Sequence, residues 1–209
     1  MAAADLSRTE QVRASSTKPP GLLCLEGEWE DDDPWDKLSV EHVLRLLELQ
    51  NYLRLVHRNV NTVAELEYHI SRMSYRKKPR YDIVYLAFHG DRDGFDVGKK
   101  AVSLDSLASM LSQQEPGFVV YIASCSVLNA DAAQLMSFCR KSGARAVAGY
   151  TRNVDWTESS AFELMMISSL LGSTSIKPLH DRLVREHPIL TNKLGFRMAH
   201  RTWASKVGT

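Results

Sequence analysis

The chain has 209 residues, with 26 Lys+Arg against 25 Asp+Glu and a formal net charge of +1. That length fits one domain around a single core. The balanced charge argues against nucleic-acid and membrane-surface binders, which carry a basic excess, and no apolar run approaches the ~18 residues of a membrane span.

Residues 1–20, "MAAADLSRTEQVRASSTKPP", are polar and end in Pro19-Pro20. They lack the apolar segment of a secretory signal and predict a flexible N-terminal arm ahead of one domain over 21–209. "GLLCLEG" (21–27) predicts a first strand, and the acidic stretch "EGEWEDDDPW" (26–35) a solvated loop. "SVEHVLRLLELQ" (39–50) carries apolar residues at helical spacing, with Ser39 as its expected N-cap. A second strand follows at 53–60. Asn61-Thr62 then opens a helix that aligns Val63, Leu66, Ile70 and Met73. "YDIVYLAFHG" (81–90) is continuously apolar and reads as a strand buried on both faces. A small hairpin at 94–104 and a short helix lead to a second central strand, "FVVYIASCS" (118–126). "DAAQLMSFCRKSG" reads as a helix stopped by Gly143, "ARAVAGY" (144–150) as a fifth strand, and 155–172 as an apolar helix. A helix is expected at "IKPLHDRLVREH", with His180 and His187 as surface or interface histidines; "PILTNKLGFRMAHRTW" is ambiguous. Strands that alternate with helices imply an α/β fold with a mainly parallel central sheet and helices on both faces.

Cys24, Cys125 and Cys139 are widely spaced and show no CxxC or Cys/His ligand pattern. That speaks against a disulfide framework or a zinc site and makes a reducing, cytoplasmic setting the expectation. Cys24 and Cys139 lie inside elements and read as packing residues. No nucleotide-, cofactor- or metal-binding motif is present, so no cofactor is expected. The four tryptophans do not interleave with basic residues, so neither a nucleic-acid nor a membrane partner is expected.

Two strand ends carry chemistry. One apolar strand ends in His89-Gly90 and the next central strand in Ser124-Cys125-Ser126. Parallel neighbours would bring an imidazole and a thiol to one sheet edge, the pair that a cysteine nucleophile requires. Gly90 would let a substrate carbonyl approach, and its N–H would join that of Cys125 in holding an oxyanion.

"IVYLAFHGDRDG" and "FVVYIASCSVLN" resemble the His-Gly and Cys motifs of caspase-fold cysteine peptidases, nearest to the bacterial CHAT type. "AVAGYTRNVDWTESSAFELMM" (146–166) extends the likeness. The resemblance implies a caspase-like fold and a cysteine endopeptidase that cleaves a protein substrate, with His89 and Cys125 as its catalytic pair. It further implies activation by a partner protein or upstream signal, in a role such as bacterial stress or phage defence. Asp155 falls where basic-specific members place an acidic residue that binds substrate. Asp155 also precedes an apolar helix and would serve as its N-cap. A catalytically degenerate interaction module and an unrelated flavodoxin-like domain are the alternative readings.

Overall fold

A computed structural model describes residues 18–29, 35, 38–74 and 81–207. Within them the strands are β1 (Gly21–Glu26), β2 (Arg54–Asn59), β3 (Tyr81–Ala87), β4 (Phe95–Val97), β5 (Lys100–Val102), β6 (Val119–Ile122), β7 (Ala146–Tyr150), β8 (Phe196–His200) and β9 (Trp203–Ala204). The helices are α1 (Glu41–Leu49), α2 (Val63–Ser71), α3 (Leu104–Leu111), α4 (Ala132–Ser142), α5 (Trp156–Leu171), α6 (Ile176–Glu186) and α7 (Pro188–Leu194). Seven strands form one sheet in the order β2-β1-β3-β6-β7-β8-β9, and β4 and β5 form a separate hairpin. β2, β1, β3, β6 and β7 run parallel; β8 and β9 return antiparallel. This is the α/β arrangement that the strand–helix alternation predicts.

Alternate side chains of each central strand feed two cores. On one face, Val84, Leu86, Val120 and Ile122 pack with Leu66 and Ile70 of α2, Leu107 of α3 and Leu135 of α4. On the other, Ile83, Tyr85, Val119 and Tyr121 pack with Leu44 and Leu47 of α1, Phe162 and Met166 of α5, and Leu179 and Leu183 of α6. A strand covered on both sides has no polar face, which is why β3 and β6 read as unbroken apolar runs. Cys24 and Cys139 lie fully buried among these residues, as packing predicts. The sheet's free edge at β2 is closed by charged side chains: the Leu55 N–H donates to Glu48 at 2.7 Å, and Arg58 donates to the His57 carbonyl at 2.7 Å.

Several local expectations are corrected. β3 stops at Ala87 and β6 at Ile122, so His89 and Cys125 lie in loops beyond the strands. Val40 occupies the cap position of α1, its N–H taken by the Glu26 carboxylate at 2.8 Å, while the Ser39 hydroxyl accepts from the Glu41 N–H at 3.1 Å. Glu26 is therefore no part of a solvated loop; it is buried at the end of β1. His180 is buried rather than at the surface, stacked on Phe196 and edged by Trp203. The ambiguous C-terminal stretch resolves into α7, β8 and β9. Most of the expected N-terminal arm, 1–17, and residues 30–34 of the acidic stretch lie outside the described residues.

One buried polar cluster crosses the second core. Glu163 of α5 accepts from the hydroxyls of Tyr85, of Tyr150 at 2.8 Å and of Tyr121 at 3.3 Å. Tyr121 shares its single hydroxyl proton between Glu163 and the Tyr150 hydroxyl, which lies 2.7 Å away. Burial pushes the Glu163 carboxyl up to about 7, against the pull of the three tyrosines. An acid whose folded pKa is raised keeps its proton in the native state while the unfolded chain has lost it, so its contribution to stability falls as pH rises from about 4.5 to about 7. Urea unfolding at about pH 5 and about pH 8 should show wild type losing ~3 kcal/mol relative to Glu163→Gln across that interval. Equal pH dependence of the two proteins would contradict this origin.

Candidate active site

β3 and β6 pair in parallel, with Leu86 opposite Ile122 as the last matched residues. The two chains stay tied just beyond: the Ala123 N–H donates to the Leu86 carbonyl at 2.8 Å, and the Phe88 N–H to the Ser124 hydroxyl at 3.3 Å. His89 and Cys125 follow at equal distance past the matched pair, on the carboxyl edge of the sheet. His89 is exposed and Cys125, a free thiol, is half-buried. This edge is where open α/β sheets place their sites.

Gly90 joins the two loops. A Cβ at this position would sit 2.7 Å from Val127 Cγ2, 2.9 Å from Ser124 Cβ and 3.1 Å from the Cys125 carbonyl oxygen. Only a residue without a side chain lets the His89 loop lie this close to the Cys125 loop. The β4–β5 hairpin holds the same loop from the other side. The Asp96 N–H donates to the His89 carbonyl at 2.9 Å, Gly90 bridges Phe95, and Phe95 stacks on Phe88.

His89 Nε2 lies 2.7 Å from the Trp29 carbonyl oxygen. A carbonyl only accepts, so Nε2 must donate, and the neutral ring then keeps Nδ1 as its basic nitrogen. The Trp29 ring meets the His89 ring edge-on at 5.3 Å and the Trp156 ring at 5.0 Å. The Trp29 indole N–H donates to Glu26 at 2.7 Å.

Past the thiol, Ser126 has φ of 58°, a left-handed conformation uncommon for serine. Three bonds hold it there. Its N–H donates to the Arg152 carbonyl at 3.0 Å, its hydroxyl to Asn153 Oδ1 at 3.1 Å, and its own carbonyl accepts from the Asn129 N–H at 2.9 Å. Because β7 pairs with β6, the 151–155 loop opens beside the Cys125 loop. Asp155 in that loop is exposed and caps α5, accepting from the Glu158 N–H at 3.0 Å. The structure thus brings the His89, Gly90 and Cys125 segments together and places Asp155 on the adjoining loop, where it serves as the cap that the sequence allowed. The supporting roles of Trp29, Glu26, Ser126 and Asn153 were missed by sequence reasoning; the sequence offers Glu26 only as part of the acidic loop to Asp33, a secondary contributor to binding a basic side chain, and its burial rules that out for Glu26. The only signal for the first two was an acidic residue and a tryptophan directly after a strand.

Among the described residues no group of three or more His, Cys, Asp or Glu is placed to hold a metal ion, and no helix is long and apolar enough to cross a membrane.

The chain is similar to the crystal structure of the Drosophila initiator caspase Dronc, with a TM-score of 0.51 and 10% sequence identity, over 90% of this chain and 80% of that one. At that identity the likeness is one of fold, and the fold is caspase-like. No curated protein matches the sequence. Residues 20–200 match the family of unknown function DUF6642, and with nearly its whole length inside that match the chain belongs to this family.

Proposed function

We propose that the protein is a caspase-like cysteine endopeptidase in which His89 and Cys125 form the catalytic dyad. The observation that carries this reading is the parallel β3–β6 register, which sets the two residues at equivalent positions past adjacent strands while Gly90 packs on the Cys125 backbone. In this reading Nδ1 of His89 takes the thiol proton, and the thiolate attacks the scissile carbonyl carbon. The oxyanion that forms accepts from the N–H groups of Gly90 and Cys125. The C–N bond then breaks as His89 returns its proton to the leaving amine, and water hydrolyses the thioester. The Trp29 carbonyl, accepting from Nε2–H, stabilises the imidazolium that forms midway.

Asp155 would bind a Lys or Arg side chain of the substrate through the carboxylate oxygen not engaged in the cap. Ser126, clamped to Arg152 and Asn153, ties Cys125 to the loop that carries Asp155. A protein partner that shifts this loop would move the nucleophile, which gives activation by a partner or an upstream signal a physical route. Placement nearest the bacterial CHAT type and a role in bacterial stress or phage defence rest on the motif resemblance alone.

A thiol-directed peptide ketone probe should label wild type and leave Cys125→Ser unlabelled; equal labelling of both proteins would sink the reading. Cys125→Ala should abolish peptide cleavage, and His89→Ala should lower it by ~100-fold or more. Gly90→Ala should cut labelling and cleavage by ~100-fold and lower the melting temperature, since the added methyl forces the two loops apart. Wild-type turnover in that variant would show that close approach of the loops is not needed. Asp155→Ala should cost ~1 kcal/mol of stability as a lost cap. If Asp155 also holds a basic side chain, the same variant should lose preference for Lys and Arg in a peptide-library profile. A wild-type profile without basic preference removes that second role.

A further inference from the structure

Glu26 is a carboxylate that the dyad chemistry leaves unused, yet it is 2% exposed and wholly committed. Oε1 accepts from the Trp29 indole N–H at 2.7 Å and the Val40 N–H at 2.8 Å; Oε2 accepts from the Ser39 hydroxyl at 2.7 Å and His57 Nε2 at 2.6 Å. A buried carboxylate is costly without such partners. Burial pushes its pKa up, but the bonds from His57, Trp29, Val40 and Ser39 outweigh that and hold it below the ordinary carboxylate range.

The placement of this cluster matters. Glu26 ends β1 opposite Ala87 of β3, two residues before His89, and the Gly27 N–H donates to the Ala87 carbonyl at 2.9 Å. From there only Gly27 and Glu28 separate Glu26 from Trp29. Trp29 is held at two points, its indole N–H on Glu26 and its carbonyl on His89 Nε2. The short segment therefore fixes where the Trp29 carbonyl stands, and that carbonyl fixes the ring and the tautomer of His89.

We propose that Glu26 is a positioning residue for His89, acting through Trp29: the buried carboxylate anchors the indole so that the Trp29 carbonyl keeps Nε2 protonated and leaves Nδ1 toward the nucleophile. This rests on the dyad reading and extends it to a residue that touches neither substrate nor thiol. An amide can take over the anchoring. A glutamine at 26 still offers one oxygen to Trp29 and Val40, and its NH2 donates to the Ser39 hydroxyl and to His57 in its other tautomer. A leucine cannot.

The test is the alkylation rate of Cys125 by iodoacetamide in the full chain, mapped by peptide mass spectrometry at about pH 7 and at about pH 9.5, where a thiol ionises unaided. His89→Ala should slow alkylation ~10-fold at the lower pH and leave the higher-pH rate within about twofold. Trp29→Phe keeps the ring contacts but removes the indole N–H, and should reproduce several-fold of that low-pH loss. Glu26→Leu should do the same, while Glu26→Gln stays near wild type. Should Glu26→Leu fail to fold, Trp29→Phe decides. Trp29→Phe at the wild-type ratio of the two rates overturns the positioning role, as does an equal fall at both pH values, which would mark a packing effect alone. If His89→Ala itself leaves the ratio unchanged, the dyad reading fails first and the positioning role with it.

Discussion

The parallel pairing of β3 with β6 is the constraint on which the rest depends. Parallel neighbours end at the same edge, and both strands are buried on both faces, so sliding or turning either would force side chains fitted to one core into the other. The loops that leave their carboxyl ends therefore start side by side. Gly90 lies against the backbone of Cys125 because the register has already put the two chains side by side. The set of the two loops is then held by the β4–β5 hairpin at the His89 loop and by Ser126, Arg152 and Asn153 at the Cys125 loop.

Among the described residues two carboxylates are buried, and they meet opposite fates. Glu163 lies deep among tyrosine hydroxyls, where burial outweighs its hydrogen bonds and its pKa rises. Glu26 lies at a sheet end, within reach of a backbone N–H, an indole, a hydroxyl and an imidazole, and its pKa falls. The difference follows from donor number and type. Four donors that include an imidazole support a charge that three phenols do not. The first carboxylate ties α5 to three strands of the sheet; the second ties β1, β2 and the start of α1 to the segment that carries Trp29.

The strand–helix order and the two central strands were legible in the sequence because burial imposes a periodicity that side chains must obey. His89 and Cys125 were legible as candidates because each lies within three residues of the end of such a strand. Their supports were not. The partner of His89 is the carbonyl of Trp29, and any residue at 29 would supply one, so side-chain identity carries no trace of it. The left-handed turn at Ser126 escapes notice because serine, unlike glycine or asparagine, does not advertise that conformation. Glu26 misled for a related reason: it belongs to an acidic stretch, and only the fold separates its buried carboxylate from that of its exposed neighbour Glu28. Capping of α1 by a side chain fourteen residues upstream lies beyond any local capping rule.

The charged side chains along β2 bear on how copies of this chain behave at high concentration. An unpaired edge strand presents a row of free N–H and C=O groups, a template on which a strand from another molecule can add. Here the outward N–H of Leu55 is taken by Glu48 and the carbonyl of His57 by Arg58. An incoming strand would have to displace both before its own ladder could form, and would leave an acid and a guanidinium beside it to be resolvated. At the opposite edge β9 is only two residues long, too short a ladder to nucleate on. A sheet whose interior is almost wholly apolar thus carries its barrier to strand addition at the rim.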